Sequence, residues 1–291
     1  MSANEENDII EKFKKFHDEL TNIKYEDSIV GILDILGFKE AVKNEDEESL
    51  KKLQKSMAWE QFINNSINFE GLHFYMLSDT FIVYSDEITV ASAKKVITVL
   101  ENIRCGLFLE GGFLSRGCIV SGKHFFRNEN LISPAFIKAH EIEKEAVYPR
   151  IIIEQKLVDL VKNKDNTEIL FPDDIIEKDF DGYFVIRPFI QILEIAVFCD
   201  EETYDFYIRK NNGWAFEERL EDYKESFTIQ LKQYKECLDK YRETIDQKNF
   251  HVLAKLNYLV NEYNKLIDLC KYYPEKEFLT SMMKKSDDVI F

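Results

Sequence analysis

The spacing of apolar and polar residues along this chain predicts its elements in order. Ile9, Ile10, Phe13, Phe16, His17 and Leu20 recur at helical intervals with polar residues between them, which predicts a short N-terminal helix. SIVGILDILGF from Ser28 is a nearly continuous apolar run that reaches an Asp and then a Gly, the mark of a buried strand ending in a turn. Residues 47–66 carry an apolar face at helical spacing, and LHFYMLSD followed by TFIVYSD predicts two strands joined at Ser78 and Asp79. A long helix is predicted from Thr89 to about Leu109, a strand from Phe113 to Gly122, and a further helix from Pro134, whose ring suits a first helical turn. RIIIEQ from Arg150 reads as a strand, KLVDLVKN as a helix, and DGYFVIRPF and YDFYIRK as further strands.

This order describes an α+β fold, an antiparallel-rich sheet with helices on one face. After Trp214 the pattern changes: Leu220, Tyr223, Phe227, Leu231, Tyr234, Leu238, Tyr241 and Ile245 follow three and four spacing, as do Leu253, Leu256, Val260, Tyr263, Ile267 and Cys270 in a shifted phase. The slip between the two series contains DQKN and favours a helical hairpin over one continuous helix. The chain therefore divides into an N-terminal helix (1–24), a sheet domain (25–216) and a C-terminal helical appendage (217–291). The appendage either packs on the sheet domain or helps to dimerise it.

Composition narrows the function. The net charge is −16, and 40 acidic against 25 basic residues put −15 of it in the first 217 residues. A broad electrostatic grip on nucleic acid or an anionic membrane is thereby disfavoured. Five cysteines, odd in number and without a CxxC pair, suggest neither a disulfide framework nor a zinc knuckle and read as reduced thiols. No stretch approaches the ~18 apolar residues of a membrane span, and MSANEENDII lacks the features of a signal peptide. A cytoplasmic protein is expected, with neither nucleic acid nor membrane as partner.

The candidate chemistry lies in two aspartates. Asp34 closes the first predicted strand and Asp79 forms the corner of the hairpin, so neighbouring strands bring both carboxylates to one edge of the sheet. Hard oxygen ligands of this kind hold Mg²⁺ or Mn²⁺, with a triphosphate completing the shell. Strand-end aspartates also serve simply as turn formers and helix caps. His73 and His140 stand apart from other metal-ligand residues and read as packing residues, and no Ser, His and Asp set or phosphate-cradling glycine loop is visible.

The residues around these aspartates resemble class III nucleotidyl cyclases at four places in the same order. LDILGFKE (Leu33–Glu40) resembles the first metal motif, and LSDTFIVYSD the second, with Ser78 in place of Gly. SRGCIVSG (Ser115–Gly122) is similar to the strand whose Arg meets the phosphates, and NLISPAFIKAHEIE (Asn130–Glu143) to the helix of base-contacting and transition-state residues. The likeness spans roughly residues 27–160. It implies a ferredoxin-like or palm-type sheet and two metal ions, Mg²⁺ or Mn²⁺, held by Asp34, Asp79 and the backbone of Ile35. It implies too that the backbone of Ile35, Leu36, Gly37 and Phe38 approaches the triphosphate, with Gly37 leaving room for it, and that Arg116 pairs with a terminal phosphate. The family builds its sites between two protomers, so a homodimer is implied, with Asp34, Asp79 and Arg116 of one chain facing Tyr75 and Asn130 of the other.

Departures from the family pattern carry information of their own. Tyr75 stands where purine cyclases carry a base-reading Lys, and Asn130 at the second base-reading position. The family's transition-state Asn and Arg fall on Ile137 and Glu141, so Arg150 is the candidate replacement cation. With these departures the chain resembles the bacterial pyrimidine cyclases of antiphage defence, the Pycsar type. A phenol at the base position fills the space of a purine's second ring, and the Asn130 amide can read cytosine or uracil. The implied reaction is conversion of CTP or UTP to a 3′,5′-cyclic nucleotide and pyrophosphate, with CTP favoured because the amide carbonyl can accept from the cytosine amine. A catalytically inactive, nucleotide-sensing dimer and a plain interaction scaffold are the alternatives.

Overall fold

The computed structural model describes residues 8–15, 17, 24–43, 47–66, 70–127, 130–162, 175–189, 216–246 and 248–269. After a helical stretch at 8–15, the chain forms β1 (Glu26–Ile35), α1 (Phe38–Lys43), α2 (Glu47–Ser66), β2 (Leu72–Leu77) and β3 (Thr80–Ser85). It continues with α3 (Val90–Gly111), β4 (Ser115–His124), β5 (Phe126–Arg127), β6 (Asn130–Leu131), α4 (Pro134–Glu143), β7 (Ile151–Ile153) and α5 (Gln155–Lys162). Strands β8 (Ile176–Lys178) and β9 (Phe184–Ile186) and helices α6 (Phe216–Thr244) and α7 (Phe250–Leu269) complete it. The predicted strand in YDFYIRK lies outside the described residues.

Seven strands make one mixed sheet in the order β2-β3-β1-β4-β7-β9-β8, antiparallel throughout except where β4 runs parallel to β7. The fold is α+β. Alternation along the central strand β1 divides its side chains between two cores. Ile29, Leu33 and Ile35 face a large cluster that includes Ile97 and Leu100 of α3 and Leu157 of α5. Val30 and Ile32 face the other way, under Ala135 and Ala139 of α4. Burial of each such aliphatic side chain stabilises the fold by ~1.5–3 kcal/mol.

Local chemistry sets the ends of the helices that bound the site. Thr89 caps α3 by accepting from Ser92 N–H at 3.1 Å, and Gly112, at φ 68°, turns the chain out of it. Ser133 caps α4 by accepting from Phe136 N–H at 2.9 Å, with Pro134 supplying the first helical residue.

The C-terminal helices form a hairpin, broken between Thr244 and Phe250. Tyr263 Oη donates to the Leu231 carbonyl at 3.0 Å across the pair, and Leu231, Tyr234, Leu256 and Leu259 enter the same core as α3. The described part of the appendage thus packs on the sheet of its own chain. Cys105, Cys118 and Cys237 are free thiols, Cys199 and Cys270 lie outside the described residues, and no described helix is long and apolar enough to cross a membrane.

Candidate active site

Register brings the acidic corner together. Asp34 is paired with Thr80 on β3 and with Arg116 on β4, so Asp79 is the next residue beyond Asp34's own partner. The Ile35 N–H donates to the Asp79 carbonyl at 3.1 Å and the Leu36 N–H to the Leu114 carbonyl at 2.8 Å, which ties the end of β1 to both neighbouring strands. At the hairpin corner Ser78 holds φ 59°, the left-handed conformation a glycine adopts without strain. Gly37 sits at φ 81° with nothing within 4 Å of where a Cβ would stand, so its backbone demands glycine and the space in front is open.

Of the four residues expected to offer backbone N–H groups to a phosphate, Ile35 and Leu36 have theirs committed to the sheet. Gly37 and Phe38 are the pair that remains. The Ile35 side chain is buried in the large core, so any contribution from this residue comes from its backbone.

Three acids and one arginine meet at the corner. Arg116 Nε lies 3.7 Å from Asp34 Oδ2 and 2.5 Å from Glu143 Oε1, the latter a charge contact rather than an aligned hydrogen bond. His140 Nδ1 lies 3.5 Å from Glu143 Oε2. Burial first, then the negative charges of Glu143 and Asp79, raises the Asp34 carboxyl from 3.8 to about 6, against the opposing pull of Arg116 and His140. Burial raises Glu143 as well, opposed by Arg116.

The Asp34 shift predicts a pH dependence. A folded-state value above the unfolded one means the folded protein binds more protons between pH 3.8 and about 6, so Asp34 lowers stability as pH rises through that window. Without divalent cations, Asp34→Asn is expected to stabilise the protein by on the order of 2 kcal/mol at pH 7 and by nothing below the unfolded value. Urea unfolding in a chelator at several pH values checks this, and equal stability of variant and wild type at pH 7 contradicts it.

The remaining predicted residues lie elsewhere. Arg150 is corrected as the replacement cation: it is fully buried, and its guanidinium is bound by Asp179 and Asp181 and faces Tyr148 and Phe180. Tyr75 is on the same face as Asp34 but two strands across and two residues along, ~12 Å away by strand geometry. Its ring meets Phe126 with centroids 5.1 Å apart, and Asn130 begins β6 in the adjoining hairpin. Ile137 and Glu141 are exposed on α4.

Sequence reasoning missed Glu143 and set His140 aside. A signal for Glu143 existed: Ala135, Ala139 and Glu143 repeat every four residues, so the acid falls on the inward stripe of α4. Nothing local marked Lys255 of α7, which reaches the electrostatic neighbourhood of Arg116 and Asp34 from far along the chain.

The donor set fits a divalent cation. Asp34 and Asp79 are hard carboxylate donors, and the burial and neighbouring negative charges that raise Asp34 are both offset by a cation at that carboxylate. Among the described residues no group of three or more His, Cys, Asp or Glu is arranged to hold a metal, so two carboxylates need oxygens from substrate or water to complete a shell.

No protein-family model matches the chain, and no curated protein matches it. Similar solved structures include the adenylyl cyclase CyaB from P. aeruginosa, 15% identical with a TM-score of 0.41 over 56% of this chain and 93% of that one. The guanylyl cyclase Cya2 is 10% identical with a TM-score of 0.37 over 57% of this chain and 93% of its own. An adenylate/guanylate cyclase/hydrolase from Silicibacter pomeroyi is 12% identical with a TM-score of 0.37 over 56% of this chain and 96% of its own.

Proposed function

We propose that the chain is a nucleotidyl cyclase of the class III type acting on a pyrimidine nucleoside triphosphate, as a homodimer, in antiphage signalling. The observation that carries this reading is the convergence of Asp34, Asp79 and Arg116 at one end of β1, beside an open turn at Gly37. Asp34, Asp79 and the backbone of Ile35 would hold two Mg²⁺ or Mn²⁺ ions. What the ions supply is positive charge on the phosphates and a more acidic ribose 3′-hydroxyl.

The chain's own residues align the reactants. Arg116 would exchange its contact with Glu143 for a terminal phosphate, and Gly37 and Phe38 would offer N–H groups to the same anion. The 3′-oxygen forms a bond to the α-phosphorus, the bond from that phosphorus to the bridging oxygen breaks, and pyrophosphate leaves in line. The hydroxyl proton passes to water. Tyr75 and Asn130 read the base, the phenol excluding a purine's second ring.

The homodimer is supported by apolar residues left exposed among the described residues. Leu77, two residues along β2 from Tyr75 and on the same face of the sheet, is 52% exposed, and Ile132 and Ile137, before and on α4, are 53% and 60% exposed. A second copy seated there would bring its Tyr75 and Asn130 to this chain's acidic corner. Mixing equal amounts of Asp34→Ala and Tyr75→Ala proteins is then expected to restore roughly a quarter of wild-type activity, since half the dimers are mixed and each holds one intact site. No restoration indicates a site built within one chain.

The direct test of function is incubation of the protein with ATP, GTP, CTP or UTP and Mn²⁺, with products identified by mass spectrometry. A cyclic pyrimidine nucleotide is expected, with discrimination against purines of at least about a hundredfold in kcat/KM. Comparable turnover of ATP or GTP removes the pyrimidine assignment and leaves the cyclase. Binding without any cyclic product supports the second reading, an inactive nucleotide sensor, which Ile137 and Glu141 favour by offering neither amide nor guanidinium on α4.

A further inference from the structure

Lys255 stands one turn before Tyr258 and Leu259 on α7, and those two residues fix where that turn lies. Tyr258 Oη donates to Asp179 Oδ2 at 3.0 Å, and its ring stacks on Tyr148 with centroids 5.1 Å apart. Leu259 lines the same cavity as Leu114, Ser115 and Pro149. Ser115 precedes Arg116 and is paired with Ile35, so these contacts sit where β1 ends and β4 begins. Residues three and four apart share a helix face and lie ~5–6 Å apart, which sets Lys255 beside that end of the sheet.

Lys255 is half-buried and flanked by buried Leu256 and Leu259. Burial and then the like charge of Arg116 lower its pKa from the ordinary lysine value, while Asp34 opposes the shift. The ammonium therefore feels both residues of the corner. Arg116 is already engaged with Glu143, so a second side-chain cation beside it would add to the charge that meets a triphosphate of about four negative charges.

We propose that Lys255 is a phosphate-binding residue of the candidate active site, supplied by the C-terminal hairpin to the acidic corner of its own chain. This rests on the cyclase reading above. It gives the hairpin a direct part in substrate binding.

The test uses the full chain and inorganic tripolyphosphate with Mn²⁺, measured by calorimetry for wild type, Lys255→Met and Lys255→Arg, together with KM and kcat for the preferred nucleotide. Lys255→Met is expected to weaken tripolyphosphate binding and raise KM by about tenfold or more, with an unchanged Tm, and Lys255→Arg to stay within about threefold of wild type. Unchanged affinity in Lys255→Met overturns the role of Lys255 and leaves the site standing. Loss of binding that Arg does not restore, with a lowered Tm, overturns it in favour of a packing role. Wild-type protein that binds no tripolyphosphate overturns both this role and the site reading beneath it.

Discussion

Asp34→Ala and Asp79→Ala proteins are each expected to lose at least about a thousandfold in cyclic nucleotide formation while keeping their fold. The size of the effect follows from what each carboxylate does: a shared metal site loses its geometry when one hard ligand is removed, and a reaction that depends on charge neutralisation and alignment loses both at once. The fold survives because neither side chain fills a core. Asp34 lies at the last turnward pair of β1, and Asp79 is in the hairpin corner held by the Ile35 N–H and its own carbonyl, a bond that alanine keeps. Circular dichroism and initial rates at saturating Mn²⁺ check this. Near-full activity in either variant refutes the metal assignment.

The second large effect is on stability. Arg150→Met is expected to cost ~3–5 kcal/mol, because removing one partner of a buried ion pair strands the other charge. Asp179 is nearly as buried as Arg150, with side-chain exposures of 6% and 0%, and beyond the guanidinium its carboxylate accepts only from Tyr258 Oη and the Phe180 N–H among the described contacts, neither of which carries charge. Asp181 retains water on one side, with 30% of its side chain exposed, and contributes less. The drop in Tm should be on the order of 10 °C for a protein of this size. The pair also anchors β7 and the start of β8–β9 to α7 through Tyr258, so the loss spreads to the hairpin. An arginine reserved for substrate predicts the reverse, wild-type stability with lost turnover.

That reversal shows what the sequence made legible and what it hid. The strand from Ser28, the corner at Ser78 and Asp79, the long helix starting near Thr89 and the helix opening at Pro134 were all readable, because each depends on residues within a turn or two of one another. The convergence of Asp34 and Asp79 was readable for the same reason, since adjoining strands follow from a tight hairpin beside a central strand. Arg150 was misread because its partners, Asp179 and Asp181, follow in a separate loop, and apolar spacing says nothing about which acid folds back on which base. Lys255 was invisible for a stronger reason: nothing near it in the chain distinguishes it from any other lysine on an amphipathic helix. Its position depends on how a hairpin docks on a sheet assembled from residues more than a hundred positions earlier.

The acidic corner accounts for one further property. Burial first, and then the charges of Glu143 and Asp79, disfavour the ionised Asp34 carboxylate, and a cation bound there would offset both.

The most direct test of that corner is Mn²⁺ binding followed by electron paramagnetic resonance, with 3′-deoxy-CTP and 3′-deoxy-UTP present as triphosphates that lack the attacking hydroxyl. The wild type is expected to bind Mn²⁺ together with one of them, each strengthening the other, and Asp34→Asn and Asp79→Asn to lose that mutual strengthening. Equal Mn²⁺ and nucleotide binding in wild type and in the Asp34→Asn, Asp79→Asn double variant contradicts the assignment of the site.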